Sequence, residues 1–153
     1  MRSSETRRSE SGQIVVAFVV LIPVFILALF IVLDLGRYQI MRNQIRIAAD
    51  SAALAAAGSL DIREAARGNF VLNENWAQQR ASEAVTAMQG RITEDDWMTI
   101  SLTSVKVNGS EVEVRVNGTA STIFGSFPLI GIRGLNASVV SSARSATGVN
   151  TEW

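Results

Sequence analysis

The feature that most restricts how this chain can fold is a long apolar run close to its N-terminus. Residues 14–33 read IVVAFVVLIPVFILALFIVL and contain no charged or hydrogen-bonding side chain. Twenty residues in an α-helix rise about 30 Å, which matches the hydrocarbon core of a bilayer. A secretory signal has a shorter apolar core that is followed closely by small residues, whereas this run continues into Asp34-Leu35-Gly36-Arg37. The run therefore predicts a retained, single-pass transmembrane helix, in which Pro23 favours a bend.

The charges on either side of this helix do not set its orientation by themselves. Residues 1–13 carry three arginines, and three more follow between residues 37 and 46, so the positive-inside rule is nearly tied. The short, polar N-terminal stretch has the composition of a disordered segment. The part after the helix is long enough to fold, and long segments translocate largely regardless of charge. We therefore expect an inner-membrane protein with a cytoplasmic N-terminus and an extracytoplasmic C-terminal domain.

The composition excludes several classes of function. The chain has 153 residues, 14 basic and 14 acidic, with no histidine and no cysteine. Disulfides, Cys/His zinc sites and Ser-His-Asp triads are thereby ruled out, and the lack of a basic surplus argues against nucleic-acid binding. The acidic run Glu94-Asp95-Asp96 does not have the spacing of a calcium loop. We therefore predict no enzymatic activity, no catalytic or metal site, no cofactor and no small-molecule substrate.

The helical pattern continues beyond the apolar run. From residue 34 to Gly58 there is no proline, and apolar residues follow spacings of three and four. Residues 48–57 read AADSAALAAA. Alanine has the highest helix propensity, and its small side chain lets another backbone approach closely. Two interpretations stay open: a stalk of high helix propensity, or a helix-packing stripe in an assembly, formed by Ala49, Ala52, Ala53 and Ala56.

A second helix is predicted from about residue 75 to Gly90. Asn75 with Gln78 resembles a capping pair, and the apolar residues from 77 to 88 lie on one helical face. Phe70 and Trp76 are predicted to be core contacts of a small domain.

A β-hairpin follows this helix. Residues 112–116 read VEVRV, the alternation of a half-buried strand. Asn108-Gly109 is a strong hairpin signal, and a two-residue turn there pairs Lys106 with Glu111 across the strands. A β-bulge near Thr103-Ser104 brings the apolar residues of the first strand into phase. The pairing explains the chain's single lysine as a cross-strand partner rather than a catalytic base.

The segment between the hairpin and a predicted third strand, residues 135–143, is apolar but broken by glycines and Pro128. This composition predicts a loop whose large side chains must be covered. They either close the core between sheet and helices or form a contact surface for membrane headgroups or a partner subunit. The residues concerned are Ile123, Phe124, Phe127, Leu129, Ile130 and Ile132.

Residues 10–60 resemble a known family. Gly12, the apolar run, Asp34-x-Gly36-Arg37 and the arginine- and alanine-rich residues 42–57 are similar to the N-terminal segment of TadE/TadG-like proteins of the bacterial tight-adherence (Flp pilus) machinery. The resemblance implies a pseudopilin-like role in pilus assembly or secretion, with prepilin-peptidase processing after Gly12. TadE-type proteins have a glutamate five residues after that glycine. Ala17 stands there in this chain, and the TadG-like pattern also lacks the glutamate.

These observations predict an α+β fold. A long N-terminal transmembrane helix continues into an extracytoplasmic helix, and a small domain follows with a second helix and about three antiparallel strands. The predicted divisions are a disordered cytoplasmic segment at 1–13, the transmembrane helix at 14–33, its alanine-rich continuation at 34–60, the α+β domain at 61–144 and a flexible tail at 145–153.

The predicted function is structural. The chain is expected to be a minor, pseudopilin-like component of a Tad/Flp-type pilus or secretion apparatus, with the lipid bilayer and other pilin or Tad assembly subunits as partners. One alternative is a membrane-tethered extracytoplasmic binding or sensor module. A small membrane-bound hydrolase is the other, and it requires a cleft of converging polar residues.

Overall fold

The computed structural model describes residues 5–92, 97–123 and 134–145, with residues 5–13 described as backbone only. The fold is mixed α+β, as the sequence predicts, with the helices preceding the strands. The acidic run at 94–96 and most of the apolar loop lie outside the described residues. The elements are α1 (Glu5–Ala57), α2 (Ile62–Ala65), α3 (Glu74–Ile92), β1 (Met98–Asn108), β2 (Glu111–Ala120) and β3 (Leu135–Arg144).

The chain divides into two compact units, Met1–Arg37 and Tyr38–Trp153. The described part of the first unit is helical, and α1 continues through Pro23 without a break. Every side chain from residue 14 to residue 33 is exposed except that of Phe30, which is half-buried. Within the described residues, one helix is long and apolar enough to cross a membrane by its length and composition.

The second unit contains an antiparallel sheet with the strand order β1-β2-β3. The central strand carries the fully buried residues Val112, Val114 and Val116. The register of β1 against β2 shifts between Leu102 and Ser104, which confirms the bulge expected at this point. Because a bulge adds one residue to one strand, it returns the apolar residues on both sides of it to the same face.

The turn of the β1–β2 hairpin differs from the sequence prediction by one position. Its two loop residues are Gly109-Ser110, and Gly109 has a φ of 62°. Lys106 therefore pairs with Glu113, and the predicted pairing with Glu111 is wrong. Sliding the partner strand by two residues leaves every side chain on its own face, so the alternating pattern fits both registers equally well.

One face of the sheet packs against α1 residues that belong to the second unit. Met41 and Ile45 are fully buried together with the valines of β2. A Cβ atom built on Gly118 in β2 would lie only 2.6 Å from Ile45 Cγ1. The missing side chain at Gly118 therefore makes room for Ile45. On the edge strand β3, Ser141 Oγ donates a hydrogen bond of 2.7 Å to Asp50 Oδ1 of α1.

The second helix, α3, lies against β1. Its buried residues are Ala77, Ala81 and Val85, and Gln89 Oε1 accepts a hydrogen bond from the backbone N–H of Ile100. The helix begins earlier than predicted, because Asn73 Oδ1 accepts a hydrogen bond of 3.2 Å from the Trp76 N–H. Asn73 therefore caps α3, where the sequence suggested Asn75.

The segment between α1 and α3 is ordered by local hydrogen bonds. Asp61 Oδ1 accepts bonds from the N–H groups of Arg63 and Glu64, at 2.9 and 3.3 Å, and so caps α2. The Leu72 N–H donates to the carbonyl of Gly109 at 3.0 Å, which ties the segment to the hairpin turn. A segment with little secondary structure is thereby held in a defined position on the second unit.

Candidate assembly surfaces

The first candidate surface is the apolar part of α1 in the first unit. Its aliphatic and aromatic side chains from Ile14 to Leu33 are exposed, apart from the half-buried Phe30. Such a surface is stable in lipid but unfavourable in water, where apolar area costs about 25 cal/mol per Å². The length and composition of the helix suit a bilayer, and they support membrane association. Gly12 lies within α1 in the part described as backbone only, and Ala17 is exposed.

The alanine stripe is buried inside the chain's own second unit. Ala49, Ala52 and Ala56 have no exposed surface, and Ala53 is 1% exposed. They belong to the same hydrophobic core as α3 and the sheet. The close packing that their small side chains permit is therefore intramolecular. Contacts between this part of α1 and another subunit must use its remaining exposed side chains.

Those exposed side chains include three large aliphatic residues that the sequence interpretation did not single out. Ile40, Ile47 and Leu54 are exposed on α1, and a spacing of seven residues places them in one row along the helix. The core residues of α1 occupy other helical positions. The seven-residue spacing is the sequence pattern that could have indicated this row, but on its own it does not distinguish an exposed row from a buried one.

The apolar loop lies mostly outside the described residues. Ile123 is half-buried and has an interaction partner. Phe124, Phe127, Leu129, Ile130 and Ile132 lie outside the described part, so both interpretations of the loop stay predictions.

Two residues predicted to be core contacts are at the surface. Phe70 is 42% exposed and Trp76 is 50% exposed. Both predictions are wrong; for Trp76 the reason is that the buried face of α3 is formed by Ala77, Ala81 and Val85. Trp76 precedes Ala77 by one residue, a helical rotation of about 100°, which directs its indole away from that face.

Trp76 borders two surface depressions. One has a volume of about 610 Å³ and is lined by Gly58, Ser59, Leu60, Ile62, Trp76, Gln79, Arg80 and Glu83. The other has a volume of about 490 Å³ and is lined by Asp61, Ile62, Arg63, Asn73 and Trp76. Ile62 and Trp76 are common to both linings, so we call the two depressions and these shared walls the Trp76 groove.

The titratable residues do not form a recognisable reaction centre in the described part of the chain. No group of three or more Asp or Glu residues there is placed to hold a metal ion. Lys106 is exposed and lies opposite Glu113 in the sheet. The only buried side-chain oxygen without a hydrogen bond, among the described residues, is Asn117 Oδ1 on β2.

Comparison with known proteins gives one family. The curated proteins and the solved structures contain no significant match to this chain. The matched segment of the family model is almost coextensive with α1, ends just beyond it and contains both the apolar run and the buried alanines. It includes no part of the sheet. Residues 12–59 of this chain match the model of the family described as "Putative Flp pilus-assembly TadE/G-like", in agreement with the resemblance.

Proposed function

We propose that this chain is a membrane-anchored structural subunit of a Tad/Flp-type pilus or secretion apparatus, with a minor, pseudopilin-like role. The family match over residues 12–59 is the observation that carries the proposal. It supports a role in pilus assembly and a structural rather than a catalytic protein. The apolar length of α1 supports attachment to a membrane. The partners are accordingly the lipid bilayer and other pilin or Tad assembly subunits.

The mechanism follows from how α1 is used. Residues 14–33 anchor the chain by placing apolar side chains in lipid. Residues 41–57 of the same helix supply a large share of the core of the second unit, so the anchor is covalently continuous with the folded domain. Subunit contacts outside the bilayer then fall on exposed residues, of which Ile40, Ile47 and Leu54 are examples.

We place the N-terminus in the cytoplasm and the α+β domain on the outer side of the inner membrane. The absence of native cysteine makes this directly measurable with single-cysteine variants. Ser82→Cys, on the exposed side of α3, is expected to react in intact spheroplasts with a membrane-impermeant maleimide. Ser9→Cys is expected to react only after lysis. The reverse pattern contradicts the orientation.

Processing after Gly12 is the part of the pseudopilin pattern that is simplest to test. Ala17 stands in place of the glutamate of TadE-type proteins, as the TadG-like pattern allows, and we propose that residues 1–12 are kept. The intact mass of the protein purified from its native membrane is then expected to be that of the full chain. A mass lower by residues 1–12 contradicts this and establishes Gly12 as the processing site.

Co-isolation tests the assembly role. The full chain, tagged at its C-terminus and isolated from crosslinked native cells in mild detergent, is expected to enrich pilin and Tad assembly subunits. A matched variant with residues 14–33 replaced by a transmembrane segment of unrelated apolar sequence tests whether anchoring alone suffices. A monomeric chain that enriches no pilus protein contradicts the proposal.

The second candidate function is a membrane-tethered binding module. It is favoured by the Trp76 groove, in which an exposed tryptophan borders two depressions. It predicts a monomer in detergent that binds its ligand without other pilus proteins, whereas the assembly role predicts a hetero-assembly.

A further inference from the structure

The exposed large apolar residues of the second unit are unevenly distributed along the chain. Ile62 is 70% exposed and Trp76 is 50% exposed, and Phe70 and Val71 lie exposed between them in the sequence. Ile62, Phe70 and Val71 belong to the segment that joins α1 to α3, and Trp76 lies in the first turn of α3. Single exposed apolar residues are ordinary, but several of them beside a concave surface mark a binding site. Tryptophan in particular is enriched at the energetic centres of protein interfaces.

The acidic side chains around the Trp76 groove already have partners within the chain. Asp61 caps α2. Glu64 pairs with Arg67 at 2.8 Å and accepts a hydrogen bond from Asn69 Nδ2 at 3.2 Å. Glu83 accepts a hydrogen bond of 3.0 Å from Gln79 Nε2. The carboxylates of this region are therefore engaged in local hydrogen bonds.

By contrast, the two arginines of the groove have no ion-pair partner among the described residues. Arg63 lines the smaller depression and Arg80 lines the larger one. Both are exposed, and within the described part of the chain no carboxylate lies within ion-pair distance of either guanidinium. Each depression therefore combines an available guanidinium group with the apolar surface of Ile62 and Trp76. A guanidinium donates paired hydrogen bonds that match a carboxylate.

From this combination we propose that the Trp76 groove is a docking site for an acidic, apolar segment of a partner protein. The segment places large apolar side chains against Ile62 and Trp76, and its flanking carboxylates accept hydrogen bonds from Arg63 and Arg80. Only the identity of the partner, another subunit of the pilus apparatus, rests on the proposed function. The docking chemistry itself depends on the groove alone.

The direct test is binding of a defined peptide to the full chain in detergent micelles. The probe is fluorescently labelled acetyl-Glu-Leu-Phe-Glu-amide, and its uncharged counterpart is acetyl-Gln-Leu-Phe-Gln-amide. Fluorescence anisotropy is expected to show saturable binding of the acidic peptide and at least tenfold weaker binding of the uncharged one. Equal affinities, or partitioning into empty micelles that accounts for the whole signal, overturn the proposal.

Variants of the chain locate the binding site. Arg63→Gln combined with Arg80→Gln, and separately Trp76→Ala, are each expected to weaken binding of the acidic peptide at least tenfold. Arg91→Gln is the matched control, because Arg91 is also an exposed arginine of α3 but lines neither depression. It is expected to leave the affinity unchanged. An equal loss in the Arg91 variant overturns the proposal, since general charge attraction then explains binding.

The chain's own residues 146–153 include Glu152 and Trp153, so the experiment must distinguish them from a partner segment. Truncation after Ser145 is expected to leave the peptide affinity unchanged. A severalfold tighter affinity in the truncated chain overturns the partner docking, because the chain's own segment then competes for the groove. Failure of the assembly role is seen separately, in co-isolation from cells, and does not alter the peptide measurement.

Discussion

At the scale of single residues, the fold depends on small side chains at the contact between α1 and the sheet. Gly118 faces Ile45, and a Cβ there would overlap the isoleucine side chain. Ala53 is almost fully buried in the same core. Interiors are close-packed, so added atoms at such positions force neighbouring groups to move. These positions therefore limit which substitutions the domain accepts.

The contact at Gly118 gives a first prediction. Gly118→Ala is expected to lower the free energy of unfolding of the second unit by about 1–3 kcal/mol, the usual cost of overpacking. Gly90→Ala in α3 is the control, since a Cβ there meets no atom within 4 Å, and alanine is expected to stabilise the helix by up to about 1 kcal/mol. Urea unfolding followed by tryptophan fluorescence in detergent measures both. Equal stability of the two variants contradicts the described packing.

Two adjacent residues of α1 give a second prediction. Ala53 is 1% exposed and Leu54 is 70% exposed. Ala53→Leu is expected to destabilise the second unit by about 1–3 kcal/mol, whereas Leu54→Ala changes the stability by less than about 0.5 kcal/mol. If the alanine stripe instead packs against another subunit, a bulky residue at Ala53 is expected to disrupt assembly and to leave the domain folded. An Ala53→Leu domain as stable as the wild type would support that expectation.

At the scale of elements, periodicity identified most of what the structure contains. The seven-alanine stretch predicted a helix at the end of α1, and the alternating valines predicted β2. The apolar residues of β1 change face partway along the strand, which predicted its bulge. The hairpin register was missed, because a slip of two residues preserves the alternation. The exposure of Trp76 was also missed. The apolar residues from 77 to 88 indicated the buried face of α3, but Trp76 was assigned to the core because large aromatic residues are often buried.

The start of α3 supplies a prediction at this scale. Asn73 accepts the capping hydrogen bond, whereas Asn75 is exposed within the first turn. Asn73→Ala is expected to cost about 1 kcal/mol of stability, the typical loss of an N-cap. Asn75→Ala is expected to be neutral or slightly stabilising, because alanine favours the helix interior. Thermal unfolding monitored by circular dichroism distinguishes them, and a larger loss at Asn75 would place the cap there.

At the scale of the whole molecule, one helix serves two environments. Its first part exposes apolar side chains that suit a bilayer, and its later part is buried in a folded α+β unit. The matched family segment covers this helix and not the sheet. The anchor and its family resemblance were readable from the sequence, because they depend on length, composition and small-residue spacing. The Trp76 groove was not, because it depends on how α2, α3 and residues 58–61 meet.

The central claim is that this chain is needed as a structural subunit for pilus assembly, and counting pili tests it most directly. Native cells lacking the chain are compared by electron microscopy with cells that express it from a plasmid, and the amount of sheared pilin is measured in parallel. If the chain is such a subunit, its loss is expected to reduce surface pili severalfold; the full chain restores them, and a chain without residues 14–33 does not. Normal pilus numbers in cells lacking the chain would contradict it.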